Sequence, residues 1–317
     1  MISVVIPNYN GLEYLKKCLE ALANQSVKDF DIIIVDDAST EKNIEDIIKD
    51  YENITLIKHD ENKGFAASVN DGIKASKSDY VFLLNNDAYP ESDCIENLLK
   101  ALKESSDDVF SIQCMMISAK NRELIDSAGD FFNIFGYARS RGKDKKIEAY
   151  NKPSEIFSAC AGAAVYKREI LRKIGLFDET HFAYLEDVDL GYRARIYGYI
   201  NKYEPLARVY HEGSATSGSR HNEFKVKISA RNSILVRYKN QTTLQKIVNF
   251  PCTQVGILVK LIYFSTKHLG SAYRAGLKEG CALKKDEKVR NSKLKFDNKM
   301  RRKALKTELE LIRNIIY

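Results

Sequence analysis

The chain has 317 residues, of which 44% are hydrophobic and 29% charged, the balance of an ordinary globular protein with room for one large α/β domain plus an appendage, or for two domains. Its net charge of +7 is uneven: residues 1–220 carry 28 basic and 36 acidic side chains, and residues 221–317 carry 22 and 7, so the two parts are expected to face different partners. No run approaches the ~20 consecutive apolar residues of a spanning helix, and the strand-like ISVVI at the start is not the basic leader of a signal peptide, so neither a membrane-spanning nor a secreted protein is expected.

Residues 2–6 read as a buried strand. It stops at Pro7-Asn8-Tyr9-Asn10-Gly11, because Pro cannot continue a central strand and Asn-Gly turns the chain. Leu12, Leu15, Leu19 and Leu22 then recur at helical spacing. A second strand, 31–35, runs into Asp36-Asp37-Ala38-Ser39-Thr40. A helix over 44–51, a strand over 54–58, a turn at Asn62-Lys63-Gly64-Phe65, a small-residue helix over 66–75 and a strand over 80–84 follow. This alternation implies right-handed crossovers and parallel strands. The fourth strand ends in Asn85-Asn86-Asp87. Three strands thus end in polar clusters, and parallel strands bring those ends to one edge, where α/β sheets bind ligands. Asn and Asp oxygens are hard ligands suited to Mg2+ or Mn2+, which could hold a diphosphate; an Asx-rich turn is the alternative reading. No GxGxxG follows the first strand and no GxxxxGK[ST] occurs, so a diphosphate bound here would need a metal.

Residues 91–104 read as a helix and 109–116 as a strand. Residues 139–153 are polar and basic, as expected of a mobile loop. The small residues of 157–166 (FSACAGAAVY) imply close approach by a backbone or ligand. In FAYLEDVDLGYRAR, Glu186, Asp187 and Asp189 precede Arg193 and Arg195. A helix opening at Asp187 would set its carboxylate near the positive end, and Asp189 would pair with Arg193 four residues on. The cluster is either a helix cap or a general base at the lip of the crevice. His211 follows a strand-like 206–210; it is either structural or within reach of the same metal as Asp87. Six cysteines, at 18, 94, 114, 160, 252 and 281, form no CxxC pair, so no zinc site or disulfide framework is expected and a reducing cytosol fits.

The ordered set VVIPNYNG, IIVDDAS, NKGFAASVNDGI, FLLNNDA, ACAGAAVYKREIL, GLFDE and YLEDVDLGYRAR resembles family 2 glycosyltransferases, most closely their rhamnosyltransferase-like branch, over roughly residues 2–240. The resemblance implies a GT-A fold: a Rossmann-like mixed, mainly parallel sheet flanked by helices, here with a C-terminal helical extension. It implies a metal-dependent enzyme that moves a sugar from a nucleoside diphosphate sugar, such as dTDP-rhamnose or a UDP-sugar, to a saccharide acceptor in cell-surface polysaccharide synthesis, with inversion. Pro7, Asn8, Tyr9, Asp36 and Asp37 would meet the nucleotide, and Gly64, Asn70, Asn85 and Asn86 would line the donor pocket. Asp87, the one acid of its cluster, would bind Mg2+ or Mn2+ together with His211. Asp187 would be the general base and Glu186 would orient it or contact the acceptor. A catalytically weak sugar-nucleotide binder or scaffold of the same fold is the second reading. A nucleotidyltransferase is a third, which the missing Gly-rich loop disfavours.

Residues 221–317 are expected to be mainly helical and to follow a catalytic domain over 1–220. Residues 255–265 (VGILVKLIYFS) are apolar but short and interrupted by Lys260, which fits a core or interfacial helix. The basic charge suggests an anionic membrane surface, with the protein peripheral on the inner face of the cell membrane beside a lipid-linked saccharide acceptor, and binding lost on deleting 282–317. A homodimer through these helices is the alternative use. Nucleic acid is not expected, since no recognisable motif accompanies the charge.

Overall fold

The computed structural model describes residues 1–213 and 222–316. Strands β1 (Ile2–Asn8), β2 (Phe30–Asp36), β3 (Ile54–Lys58) and β4 (Tyr80–Leu84) are parallel, in the spatial order β4–β1–β2–β3. Helices α1 (Leu12–Ala23), α2 (Ile44–Ile48) and α3 (Phe65–Ala75) make the crossovers. Side chains alternate across a strand, so the sheet divides the core in two. Val4 and Ile6 pack with Leu15 and Leu19 of α1, while Val5 and Val35 pack with Val69 and Ile73 of α3. The small residues of α3 have a reason: a Cβ at Gly72 would lie 2.3 Å from Val5 Cγ1.

The second half of the sheet is mixed. After β5 (Ala88–Pro90), α4 (Cys94–Lys103), β6 (Val109–Ser118) and β7 (Ile125–Ser127), the chain makes a separate hairpin, β8 (Asp130–Phe132) with β9 (Ala138–Ser140). Then come β10 (Ser154–Ile156), β11 (Ala163–Lys167), α5 (Arg168–Ile174), α6 (Glu186–Tyr197) and β12 (Ile200–His211). β11 lies antiparallel between β4 and β6, and β12 runs parallel to β6, giving the order β10–β12–β6–β11–β4–β1–β2–β3. The expected mixed sheet with flanking helices is the one observed.

Three details differ from the sequence reading. β12 begins at Ile200, six residues before the expected strand, because its register with β6 shifts between Glu204 and Arg208, around Pro205. β1 runs on through Pro7 to Asn8, paired with Val35 and Asp36 of β2, past the expected stop at Pro7. Residues 139–153 are anchored: Ile125 N–H donates to Lys145 O at 2.8 Å, and Ile147 and Tyr150 pack on the core.

The C-terminal part comprises α7 (Glu223–Asn240), α8 (Thr243–Val248), α9 (Phe250–Thr266), α10 (Gly270–Leu283), α11 (Glu287–Asn291) and α12 (Asn298–Arg313). Glycines let α10 lie close on α7: a Cβ at Gly276 would sit 2.0 Å from Lys227 O. α12 returns to the first part of the chain, where Met300, Ala304 and Leu311 share a core with Phe132, Val188 and Tyr192, and Glu310 pairs with Arg195. The basic tail is therefore not a free arm, and deleting 282–317 would open that core. The expected boundary at 220/221 lies outside the described residues. α6 is buried on two sides, with Leu190 and Ala194 toward the sheet and Val188, Tyr192 and Ile196 toward α12. Among the described residues no helix is long and apolar enough to cross a membrane.

Candidate active site

The carboxyl ends of β1, β2 and β4 open into a cleft of about 610 Å³, within the range of small-molecule sites. Pro7, Asn8, Tyr9, Asp37, Gly64, Asn85, Asn86, Asp87, Glu186, Asp187 and His211 all line it. The three polar strand ends and the acidic start of α6 therefore converge, as the parallel topology required.

The floor is a network. Asn8 Nδ2 donates to Asp36 Oδ1 at 2.8 Å, and Asn86 Nδ2 donates to Asn8 Oδ1 at 2.7 Å, tying three strand ends together. Asp36 and Asn70 do not line the cleft. Asp36 is turned to Asn8 and Ser39. Asn70 is buried and clamps the backbone N–H and C=O of Phe177, at 3.0 and 2.8 Å. Its contribution to the cleft is indirect, through the 177–182 loop. Asp37 accepts from Lys63 N–H, Gly64 N–H and His59 Nδ1 at 2.7–2.8 Å. A carboxylate has about four acceptor sites, so one remains for a ligand N–H. Tyr9 lines the cleft and is 39% exposed, an aromatic ring of the kind that stacks on planar ligands.

In the same cleft, Asp87 Oδ1 lies 3.2 Å from His211 Nε2, and the Asn85 amide lies 3.5 Å from the same nitrogen. Carboxylate, imidazole and an amide, whose orientation is assigned by its bonding, form the O/N set that suits Mg2+ or Mn2+. Asp126, which the sequence did not single out, holds His211 Nδ1 at 2.8 Å, the outer partner that aims a ligating imidazole. The residues present therefore fit a divalent cation. Burial alone would depress the His211 imidazolium, but the bonds to Asp126 and Asp87 push it up to about 10. Burial opposes the Asp126 charge too, and His211 and Lys143 overcome it, holding the carboxyl at about 2.

Asp187 is the second residue of α6. Its Oδ1 accepts from Val188 N–H at 2.7 Å and its Oδ2 from Ala161 N–H at 3.4 Å. Neither bond is a helix cap: the cap residue is Leu185, without a side-chain bond. Burial raises the Asp187 pKa against those donors. Glu186 is 6% exposed, and burial followed by the Asp187 charge raises it well above the usual range. Asp130 and Cys160 join them unannounced by the sequence: one ligand atom each of Asp130, Cys160 and Asp187 lie within 4.8 Å of one another. Burial and the Asp187 charge hold the Asp130 carboxyl well above its ordinary value. Like charges this close disfavour double ionisation.

The turn into α6 is strained, with positive φ at Phe182 (61°), Tyr184 (66°) and Leu185 (66°). Asn232 of α7 holds it by donating to the carbonyls of His181, Ala183 and Tyr184 at 2.6–2.9 Å. Beneath α6, Asp189 meets Arg193 at 3.2 Å, as the spacing predicts, and Lys239 of α7 at 3.1 Å.

The family model "Glycosyl transferase family 2" matches residues 3–175. Glycosyltransferase GlyG of Streptococcus pneumoniae is 37% identical over 187 residues, 58% of this chain and 60% of that protein. A poly(ribitol-phosphate) beta-glucosyltransferase of Bacillus spizizenii is 36% identical over 193 residues, 59% of this chain and 28% of that protein. The chain thus spans less than two thirds of the length of either relative. In fold it is similar to S. aureus TarS 1–349 in complex with UDP-GlcNAc (TM-score 0.59, 16% identity, covering 99% of this chain and 91% of that one). It is also similar to a mannosyltransferase of Pyrobaculum calidifontis in complex with GDP-Man and Mn2+ (TM-score 0.55, 15% identity, 97% and 86%). With the family model covering more than half of the chain, this protein belongs to glycosyl transferase family 2.

Proposed function

We propose that the chain transfers a sugar, with inversion, from a nucleoside diphosphate sugar to a saccharide acceptor in the making of a cell-surface polysaccharide. The donor would be dTDP-rhamnose or a UDP-sugar. The observation that carries this reading is one cleft lined by Tyr9, Asp37 and Asp87 together with Glu186 and Asp187.

Tyr9 and Pro7 border the base, and the remaining acceptor site of Asp37 takes its N–H. Asp87 and His211, with Asn85 beside them, would hold a divalent cation, whose Lewis acidity would offset charge on a departing diphosphate. Asp187 takes the acceptor hydroxyl proton as the acceptor oxygen bonds to the anomeric carbon and the bond from that carbon to the diphosphate oxygen breaks. Its raised pKa makes it a stronger base than a surface aspartate. Glu186, whose carboxyl is pushed toward the protonated form by burial and the Asp187 charge, is a donor for an acceptor oxygen. With one base and a single displacement, configuration inverts. The acceptor we favour is lipid-linked, with the protein peripheral on the inner face of the cell membrane.

The test is a panel of sugar nucleotides with Mn2+ and a saccharide acceptor. Nucleoside diphosphate release with a product of opposite anomeric configuration by NMR is expected. Pyrophosphate release would indicate nucleotidyl transfer, a retained configuration would exclude the single displacement, and donor binding without turnover would favour the catalytically weak binder.

A further inference from the structure

Helices α8 and α9 leave a large apolar surface uncovered. On α8, Leu244, Ile247 and Val248 are 61–66% exposed. On α9, Val255, Leu258, Val259 and Ile262 are 52–58% exposed; their spacing puts them on one helical face. The opposite side of α9 is packed: Thr253 and Gly256 are buried, and Ile257, Leu261 and Phe264 sit against Val226 and Tyr273. Lys260, the one charge in α9, folds back over the Tyr137 ring at 4.2 Å, away from that face. Isolated exposed apolar residues need no explanation, but a continuous helical face does.

Charge selects the occupant. From residue 224 to residue 278 there is no Asp or Glu; of the ten Lys and Arg, Lys225 and Lys239 are buried, Lys260 is turned to Tyr137, and Lys227 and Arg231 pair with Glu279. Lys267, Arg274 and Lys278 are exposed. A second copy seated on this face would offer those bases no acidic partner from its own α8 and α9, which contain no Asp or Glu. An anionic bilayer satisfies both features, taking the apolar side chains into the boundary between headgroups and acyl chains and the bases onto the headgroups.

We infer that the α8–α9 face is a membrane-docking surface for anionic lipid. It lies one hairpin from the cleft. The β8–β9 tip is held under α9, with Tyr137 Oη donating to Gly256 O and Thr253 Oγ1 to Ile134 O at 3.4 Å. The stem of the same hairpin supplies Asp130, Arg139 and Ser140 to the cleft wall. Docking by this face would therefore hold the cleft beside the bilayer, which deepens the lipid-linked acceptor reading; the surface itself is tested without any sugar chemistry, so the two fail separately.

The chain has no Trp, so Leu258→Trp in the full chain gives a single fluorescent reporter on the face. Its emission should shift to the blue with phosphatidylcholine–phosphatidylglycerol vesicles and far less with phosphatidylcholine alone. Leu258→Glu with Ile262→Glu should weaken co-sedimentation with the mixed vesicles roughly tenfold or more at an unchanged melting temperature. Unchanged Trp emission on mixed vesicles overturns the inference. So does a homodimer that those glutamates dissociate while vesicle binding is absent, which would make the face an interface between copies.

Discussion

At Glu186 the carboxyl is almost wholly buried beside Asp187, and its Oε2 has no hydrogen-bond partner among the described residues. Burial and the neighbouring charge raise its folded pKa well above that of the unfolded chain, ~4.3. The folded state then binds more protons, so the stability this group contributes is full below the unfolded pKa and is lost as pH rises through the folded one. Glu186→Gln should therefore gain in melting temperature over the wild type as pH is raised from acid to neutral. An unchanged difference across that series would mean Glu186 is not held protonated. At Asp87 the only acid of Asn85-Asn86-Asp87 faces His211 at 3.2 Å. Asp87→Ala should lose Mn2+-dependent donor binding, and a chelator should have the same effect on the wild type. Isothermal titration with a sugar nucleotide reads both, and donor affinity indifferent to either change would remove the metal from binding.

At the scale of elements, α6 is positioned from below by α7. Lys239 is 1% exposed and meets Asp178 at 2.7 Å and Asp189 at 3.1 Å. Burial disfavours the Asp189 charge, and Lys239 and Arg193 reverse that, holding it well below the usual carboxylate range. Lys239→Ala leaves Asp178 without its ammonium partner and Asp189 with Arg193 alone, and should cost about 3–5 kcal/mol in denaturant melts; a loss below 1 kcal/mol would contradict the hub. The sequence shows only part of this. The strands β1, β2 and β4 are apolar runs with Pro7-Asn8, Asp36 and Asn85 at their ends, so both the elements and their shared edge are legible. The Asp189–Arg193 pair is legible because four residues is one helical turn. Lys239, Asn232 and Asp126 are not, since each acts on a partner 48 or more residues away with no periodic signal between. The hairpin of Asp130 is hidden for another reason: three-residue strands carry too little alternation to read. Asn70 was legible as important and misplaced, because a buried amide that clamps a loop and one that lines a pocket look alike in sequence.

Over the whole molecule, the charge asymmetry read from composition acquires a shape. Most of the bases of residues 221–317 lie on helices that are part of the fold, with α12 packed on α6 and α9 over the β8–β9 hairpin. The same chain thereby joins Tyr9 and Asp37, the acidic start of α6 and, through the β8–β9 hairpin, the apolar face of α9 to one cleft. The claim on which the rest depends is that Asp187 is the base of that cleft, separate from the donor side. Replacing it with Asn keeps shape and removes the charge, and a positioned base contributes about 10²–10⁴-fold. The decisive measurement is sugar transfer and donor affinity on Asp187→Asn, side by side with the wild type. The account predicts transfer lower by that factor with donor affinity nearly unchanged; turnover near that of the wild type would contradict it.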